Sequence, residues 1–323
     1  MCTAITYQTK DHYFGRNLDY PFSYAEQVTI TPRNFPLAYR KGETRNHHFA
    51  IIGMAYINDD YPLYYDAVNE KGLAIAGLNF PQNAVYHPYR EGMQNIAPFE
   101  LIPWLLSQCE NLAEAKKLLK TTHLIKEDFS PELPLSPLHW LLADQTGSVT
   151  IEPTAKGLQV YDNPVGVLTN NPPFPEQLFH LNNYPFLTNQ PPKDRFCETF
   201  PLNRYSHGLG GLGLPGDFSS QSRFIRGAFC KLYATSGEGE TESVHQFFHI
   251  LDTVAQPQGA VQTPEGYEKT IYSSCMNLDR GVYYYTTYDN RQITAVSLGE
   301  NPDGDALTAY PIRRNGNLFY ENK

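Results

Sequence analysis

The sequence predicts an α+β fold in which antiparallel sheets are stacked in layers. Strand-like segments open and close the chain, helical segments form two separate blocks, and no low-complexity linker or internal repeat divides them. Alternating blocks of this kind are typical of a layered α+β architecture. The 323 residues, 41% of them hydrophobic, supply enough apolar material for a sizeable core. We therefore expect a single domain over residues 1–323.

Strands dominate the predicted structure of the first third of the chain. Runs rich in β-branched and aromatic residues mark candidate strands at 3–7, 12–17, 28–31 and 49–56. A hairpin is expected in LYYDAVNEKGLAIAGLNF, because Asn69-Glu70-Lys71-Gly72 supplies turn chemistry between two apolar runs.

Two helices are predicted next, before the strands return. FELIPWLLSQCE (99–110) has helical spacing, and Pro103 either lies in its first turn or kinks it. Asn111 is expected to begin a second helix, with Glu114 as its capping-box partner. Further strands are predicted at 140–143, at 148–152 and near 165–169.

The last third predicts two more helices and three more strands. The helices span 220–234 and 243–254, and the strands span 270–276, 282–288 and 292–298. Before them, residues 183–216 are rich in Pro, Asn and Gly, and their glycine spacing matches no nucleotide-binding motif. A long ordered insertion or a protruding hairpin is the prediction for this segment.

Composition and charge exclude several classes of partner. The formal net charge is -9 and no basic stripe is present, which argues against binding nucleic acid or anionic membranes. No segment reaches the roughly 18 apolar residues of a membrane span, and the N-terminal stretch lacks the features of a secretion signal. Five scattered cysteines without CxxC spacing suggest reduced thiols. We expect a cytoplasmic protein.

Cys2 becomes chemically interesting once Met1 is removed. The residue would then carry a thiol and a free α-amine, and an α-amine has an ordinary pKa of about 7.7–8.0, far below that of lysine. Such an amine can accept the thiol proton and later return a proton to a leaving amine. This arrangement needs a carboxylate near the amine, a cation near the thiol and donors that form an oxyanion hole.

The sequence contains candidates for each of these partners. They lie at the ends of predicted strands or at the start of a predicted helix: Arg16, Asp19, Asn79, Asn170 and Arg223. Taken singly, the arginines could be surface or helix-end charges, and Asp19, Asn79 and Asn170 could begin turns.

Five strings in order give these candidates a context: MCTAI, GRNLDYPFSY, NEKGLAIAGLNFP, NPVGVLTNNP and LPGDFSSQSRF. Together they resemble the choloylglycine hydrolase family of N-terminal nucleophile hydrolases, which contains bile salt hydrolases and penicillin V acylases. The resemblance covers essentially the whole chain. It implies a four-layer αββα fold with two stacked antiparallel sheets, and hydrolysis of a linear amide through an acyl-enzyme.

The resemblance also implies a role for each candidate. In chain order these are Cys2 as nucleophile, Arg16 as the arginine beside the thiol, Asp19 as the carboxylate near the amine, Asn79 as a backbone N–H donor, Asn170 as the side-chain oxyanion donor and Arg223 as a distal electrostatic support. Chemistry alone does not choose between Asn170 and its neighbour Asn171; the motif alignment selects Asn170.

The implied substrate is a conjugated bile salt, a steroid acid joined to glycine or taurine. Residues expected to line the acyl pocket lie in three loops: Leu18, Phe22, Tyr24, Tyr65, Leu133 and Leu135. The alternative for these side chains is core packing or exposure to solvent. Asn79 favours a bile salt hydrolase, because penicillin V acylases tend to carry tyrosine there. Glycine or taurine preference is left open.

Three alternatives and two expected absences complete the functional expectations. The alternatives are a penicillin V acylase, an acylase for another lipid amide such as an acyl-homoserine lactone, and a non-catalytic ligand-binding protein. No cofactor is expected. No metal is expected either, since HQFFH at 245–249 lacks the glutamate of HExxH.

The resemblance implies a homotetramer as well. The insertion at 183–216 is similar to the protruding segment through which family members assemble. Its Pro and Gly content suits a pre-shaped arm that buries Phe186, Phe196 and Leu212 against neighbouring subunits.

Overall fold

Two large antiparallel sheets form the centre of the molecule. The computed structural model describes residues 1–299 and 302–322. The strands of these residues are β1 (Cys2–Gln8), β2 (His12–Tyr20), β3 (Gln27–Thr31), β4 (Ile51–Asn58), β5 (Tyr61–Asn69), β6 (Ala74–Asn79), β7 (Gln94–Ile96), β8 (Thr122–Leu124), β9 (Leu138–Asp144), β10 (Gly147–Thr154), β11 (Gly157–Asp162), β12 (Val167–Leu168), β13 (Gln262–Thr263), β14 (Gly266–Tyr267), β15 (Lys269–Asn277), β16 (Val282–Thr287), β17 (Thr294–Ser297) and β18 (Thr308–Pro311).

The first sheet has six strands in the order β12-β1-β2-β15-β16-β17, and the second has eight in the order β11-β10-β9-β6-β5-β4-β3-β18. Neighbouring strands within both sheets are antiparallel. Two short pairs, β13-β14 and the parallel β7-β8, lie outside them.

The helices of the described residues are α1 (Leu101–Leu106), α2 (Leu112–Leu119), α3 (Phe174–His180), α4 (Ser220–Tyr233) and α5 (Glu240–Asp252). Helices α4 and α5 pack on the six-stranded sheet, and α1 and α2 pack on the eight-stranded sheet. The resulting order of layers is helix, sheet, sheet, helix, which confirms the expected α+β fold with two stacked antiparallel sheets.

Apolar side chains fill the space between the layers. One cluster joins the two sheets and extends to α4 and α5, with Phe14, Met54, Phe224 and Phe247 among its fully buried members. A second cluster lies between the eight-stranded sheet and helices α1 and α2. Strand β2 is covered on both faces, so a polar residue in it must find partners inside the protein.

The element boundaries differ from the sequence predictions at several places. The helix predicted at 99–110 spans only Leu101–Leu106, preceded by a 3-10 turn at Pro98–Glu100. Pro103 lies in its first turn, where no intrahelical donor is needed. Beyond Leu106 the Asn69 side chain donates to the carbonyls of Leu106 and Cys109, which satisfies acceptors at the C-terminal end of the helix.

The predicted second helix begins as expected, with one change in its cap. The Asn111 side chain accepts a hydrogen bond from the Glu114 N–H at 3.0 Å. The Glu114 carboxylate bonds the N–H of Glu110, one residue before the expected position. Strands β7, β8, β11, β13, β14 and β18 and helix α3 were not predicted. Residues 183–216 contain no strand. Their regular structure consists of the 3-10 turn Leu209–Gly211 and of Asn183, the last residue of the 3-10 turn Leu181–Asn183. The hairpin alternative for this segment was therefore wrong.

Within the described ranges, no helix is long and apolar enough to cross a membrane.

Candidate functional site

Cys2 begins the strand at the centre of the candidate site. In the β1–β2 ladder Cys2 is opposite Leu18, and Ala4 is opposite Arg16. Side chains alternate along a strand, so Cys2, Arg16 and Leu18 share the face toward the second sheet, while Asp19 points to the helical layer. Cys2 is 4% exposed. The Met1 ammonium donates to the Asp19 carbonyl and to Glu268 Oε1, both at 2.8 Å.

Two irregularities in strand pairing shape the site. The β2–β15 register shifts between Thr270 and Tyr272, so Thr270 follows Asp19 toward the helices while Tyr272 turns toward the second sheet. In the β4–β5 pair, Met54 is opposite Asp66 and Ala55 is opposite Tyr64, so Tyr65 is an extra residue in β5 that forms a bulge. The freed Tyr65 carbonyl accepts a hydrogen bond from Arg16 Nη1 at 3.2 Å.

Arg16 is a buried cation between the sheets. Its Nη1 donates to the carbonyls of Tyr65 and Gly77, and its Nη2 has no partner among the described residues. Burial by itself would lower the pKa of Arg16, but its electrostatic interactions with Cys2, Tyr272 and Asp66 hold that pKa above its ordinary value. The guanidinium is therefore charged and lies where it can favour a thiolate on Cys2.

Asp19 is a buried carboxyl group near the N-terminus. The Thr270 hydroxyl donates to its Oδ1 at 2.6 Å, while Oδ2 has no partner within the described part of the chain. Burial raises the pKa of Asp19, and the charges of Arg223 and the terminal ammonium oppose that rise. An additional ammonium near Oδ2 would supply a charge-assisted hydrogen bond.

Asn170 connects the N-terminal strand to the second sheet. Its Oδ1 accepts from the Cys2 N–H at 2.9 Å and from Arg223 Nη2 at 2.7 Å. Its Nδ2 donates to the Asn79 carbonyl at 2.7 Å, which leaves one hydrogen of the amide group for another acceptor. Asn171 instead donates to the Pro81 carbonyl. Of the two candidates, the structure brings Asn170 to Cys2.

Arg223 holds the other side of the same cluster from the first turn of α4. Its guanidinium donates to the Cys2 carbonyl, to Thr3 Oγ1 at 2.6 Å and to the Phe218 carbonyl at 3.1 Å, besides Asn170. Burial lowers its pKa, and the charges of Asp19 and Cys2 oppose that change. Arginine stays protonated even so. Arg223 thus fixes the Asn170 amide and the Cys2 backbone together.

Comparison with known proteins places this geometry in a family. A family model described as linear amide C–N hydrolases, choloylglycine hydrolase family, matches residues 2–306. The chain belongs to the choloylglycine hydrolase family.

Relatives and solved structures in this family resemble the chain over its full length. A bile salt hydrolase/transferase of Lactiplantibacillus plantarum is 56% identical over 100% of both chains, and one of Clostridium perfringens is 38% identical over 100% of both. The crystal structure of the C2A conjugated bile acid hydrolase from Clostridium perfringens has a TM-score of 0.91 at 36% identity, covering 100% of both chains. Penicillin V acylase from Agrobacterium tumefaciens shares the fold, with a TM-score of 0.73 at 18% identity over 99% of this chain and 94% of that one.

All six residues expected to be catalytic in this choloylglycine hydrolase family member lie in one connected region. Hydrogen bonds join Cys2, Asn170, Asn79 and Arg223, and charge interactions tie Arg16 to Cys2 and Asp19 to Arg223. The sequence reasoning thus selected residues that the fold brings together. Their roles in catalysis are proposals, taken up below.

The residues expected to line a pocket are less uniformly placed. Leu18 is buried opposite Cys2, while Phe22 and Tyr24 are 45% and 37% exposed and form a ring cluster with Tyr20. Tyr65 is next to Arg16 through its carbonyl. Leu18 and Tyr65 were expected in loops, but they lie in strands, because β2 extends to Tyr20 and β5 begins at Tyr61. The Tyr61 ring lies 5.8 Å from the ring of Phe129, which belongs to the loop that carries Leu133 and Leu135. Leu133 and Leu135 are half-buried, and their backbone N–H groups bond within their own loop, to Ser130 and Asp128.

Four residues of this region were missed by the sequence reasoning. Asp66, Ser220, Glu268 and Thr270 each contact a site residue or lie within its charge network. The signal for Asp66 was available, because an acidic residue interrupts the apolar run of strand β5. Glu268 and Thr270 carried no such signal, because their positions depend on the shifted register of β15.

Proposed function

We propose that the chain hydrolyses the amide bond of glycine- or taurine-conjugated bile acids through an acyl-enzyme on Cys2. The observation that carries the proposal is the hydrogen-bonded cluster of Cys2, Asn170 and Arg223 in a member of a linear amide hydrolase family. The named activities of the Lactiplantibacillus and Clostridium relatives support the choice of substrate.

Removal of Met1 is the first step of the proposed mechanism. In the unprocessed chain the Met1 ammonium bonds the Asp19 carbonyl and Glu268, and the Cys2 nitrogen is an amide. An amide nitrogen is not a base. Cleavage after Met1 converts it to an α-amine between Asn170 Oδ1 and the buried Asp19 carboxyl, both of which can accept hydrogen bonds from it.

The chemistry then proceeds within one residue and its neighbours. The α-amine takes the thiol proton, Arg16 favours the resulting thiolate, and the sulfur attacks the amide carbonyl. The negative charge that develops on the carbonyl oxygen is met by the free Nδ2 hydrogen of Asn170 and the backbone N–H of Asn79. The ammonium protonates the departing glycine or taurine nitrogen, and water activated by the amine releases the bile acid.

The acyl group is proposed to bind near the segments that carry the expected pocket residues. Those residues are Leu18, Phe22, Tyr24, Tyr65, Leu133 and Leu135. Exposed rings such as Phe22 and Tyr24, clustered beside the strand that carries Arg16, suit a large apolar ligand. A steroid offers far more apolar area than a phenoxymethyl group, at about 0.8 kcal/mol per buried methylene.

The proposal extends to domain organisation, assembly and location. We infer one domain for the chain and a homotetramer built through residues 183–216, in which Phe186, Phe196 and Leu212 are 58%, 79% and 71% exposed. Side chains of this size and exposure suit burial against another subunit. A cytoplasmic location is supported by the five cysteines, all of which are free thiols.

The test is a comparison of substrates with purified, Met1-free protein. We expect a much higher kcat/KM for glycocholate and taurocholate than for penicillin V. Cys2→Ala should abolish hydrolysis and keep the fold, while Cys2→Ser loses most activity because a hydroxyl is the weaker nucleophile. A preference for penicillin V would overturn the substrate and spare the mechanism. If Cys2→Ala hydrolyses the substrate as fast as the wild type, the proposed mechanism is wrong.

A further inference from the structure

Asp66 is a buried carboxylate that ties the two sheets together. It belongs to β5 of the eight-stranded sheet and has no exposed surface. Three hydroxyls of the six-stranded sheet donate to it: Tyr272 at 2.8 Å, Ser274 at 3.1 Å and Tyr283 at 2.6 Å. A fully buried aspartate in an apolar strand is costly unless the fold uses its charge or its hydrogen bonds.

The hydrogen-bond pattern favours the ionised form of Asp66. All three partners are donors, and an ionised carboxylate is the species that only accepts. Burial raises the pKa of Asp66 above its ordinary value, and the charge of Arg16 and then the three hydroxyls offset that rise only in part. On the geometry of its three donors we assign Asp66 as ionised, so Arg16 and Asp66 are opposite charges in the same water-poor layer, where electrostatic interactions are weakly screened.

Asp66 is connected to both ends of Arg16. At the backbone, the Arg16 N–H donates to Ser274 Oγ at 3.1 Å, and the same oxygen donates to Asp66. At the guanidinium, Nη1 donates to the carbonyl of Tyr65, the bulge residue directly before Asp66. The position of Arg16 and the net charge of its surroundings thus depend on Asp66.

We propose that Asp66 is a positioning residue that acts through Arg16: it offsets part of the guanidinium charge and sets how strongly that charge favours the Cys2 thiolate. The proposal rests on the proposed function, since it takes Cys2 as the nucleophile and Arg16 as the cation beside it. It explains why the protein keeps a buried carboxylate beside a buried arginine without joining the two directly.

The test is the pH dependence of iodoacetamide alkylation at Cys2. Asp66→Asn keeps the shape and removes the charge, so Arg16 acts on the thiol without compensation. We expect the pH midpoint of alkylation to fall by about one unit, which is about tenfold in the thiolate equilibrium. With a conjugated bile salt we expect kcat to fall about threefold and KM to change less than that, because a thiolate that is tenfold less basic is the weaker nucleophile.

Matched variants separate this role from a structural one. Ser273 lies between Tyr272 and Ser274 in β15, and its buried hydroxyl donates to Asn17 Oδ1 on the opposite face of the sheet from Asp66. We expect Ser273→Ala to lower the free energy of unfolding without moving the pH midpoint of alkylation. The double variant Tyr272→Phe with Tyr283→Phe removes two donors and favours protonation of Asp66. It should therefore move the midpoint in the same direction as Asp66→Asn, and it provides the test if Asp66→Asn does not fold.

The outcomes distinguish this proposal from the proposed function. Absence of labelling on wild-type Cys2, or full activity of Cys2→Ala, overturns the proposed function. If the wild type is labelled normally, and the pH midpoints of alkylation in Asp66→Asn and in the tyrosine double variant equal that of the wild type, the role of Asp66 alone is overturned. A shift of equal size in Ser273→Ala also overturns it, since the effect would then reflect loosened packing.

Discussion

Replacing Arg223 with alanine is expected to uncouple the oxyanion donor from the nucleophile. The change removes the hydrogen bonds to the Cys2 carbonyl, Thr3 Oγ1, Asn170 Oδ1 and the Phe218 carbonyl. It also leaves the buried Asp19 carboxyl without its main neighbouring cation. Breaking a buried charged pair costs about 3–5 kcal/mol of unfolding free energy. Because a folded protein has an unfolding free energy of about 5–15 kcal/mol, the variant should remain folded.

Activity should suffer more than stability. With Arg223 gone, Asn170 loses a partner of its Oδ1 and can rotate, and loss of one oxyanion donor costs about 10²–10³ in kcat. The assay is steady-state hydrolysis of glycocholate beside urea unfolding of each variant. Arg226→Ala is the control: this arginine of the same helix bonds the carbonyls of Thr253 and Pro215 and does not contact the cluster. The reasoning is refuted if Arg223→Ala keeps kcat within about tenfold of wild type, or if Arg226→Ala loses as much.

Two further predictions concern pH and assembly. Hydrogen bonds from Ser219 and Ser222 lower the pKa of Asp217 from an ordinary value near 3.8 to about 2. Its stabilising contribution is therefore complete above the ordinary value and is lost as pH falls toward 2. Urea midpoints of wild type and Asp217→Asn should differ at pH 6 and converge as pH falls from 4 toward 2; a gap that is independent of pH would contradict this. In the proposed arm, Phe196→Asp together with Leu212→Asp should shift the mass in light scattering at micromolar concentration from tetramer toward smaller species. A wild type that is strictly monomeric under the same conditions would reject the assembly proposal.

The layered fold was predictable because its signals are local. Alternating apolar runs, the Asn69–Gly72 turn and the Asn111 cap each determine an element within about ten residues of chain. The short edge strand Thr308–Pro311 was missed for the opposite reason. All four of its residues are exposed, so it has no buried apolar alternation, and it is a strand only through its pairing with β3. The helix predicted at 99–110 is shorter in the structure, Leu101–Leu106, and its last carbonyl bonds the Asn69 side chain of the hairpin, a partner that no local pattern contains.

The catalytic candidates were predictable because the family motifs surround them, and the fold then brought them together. The groups that support these candidates, such as Thr270 and Tyr65, were not predictable in the same way. Their positions depend on how distant strands pair, and a short sequence motif carries no information about that pairing. Thr270 reaches Asp19 only because β15 slips by one residue, and Tyr65 reaches Arg16 only because β5 carries a bulge. Asp66 could have been noticed as an acid in an apolar strand. Its three hydroxyl donors come from more than 200 residues away in sequence and could not.

The central claim is that an N-terminal Cys2 carries the acyl group, and trapping that intermediate tests it most directly. The enzyme is mixed with glycocholate, quenched in acid within the first turnovers, digested and examined by mass spectrometry. The account predicts an N-terminal peptide that begins at Cys2 and bears one cholyl group on its sulfur. The group should be absent from Cys2→Ala and from Cys109, Cys197, Cys230 and Cys275. Active enzyme whose N-terminal peptide begins at Met1, or a cholyl group on any other residue, would contradict the account.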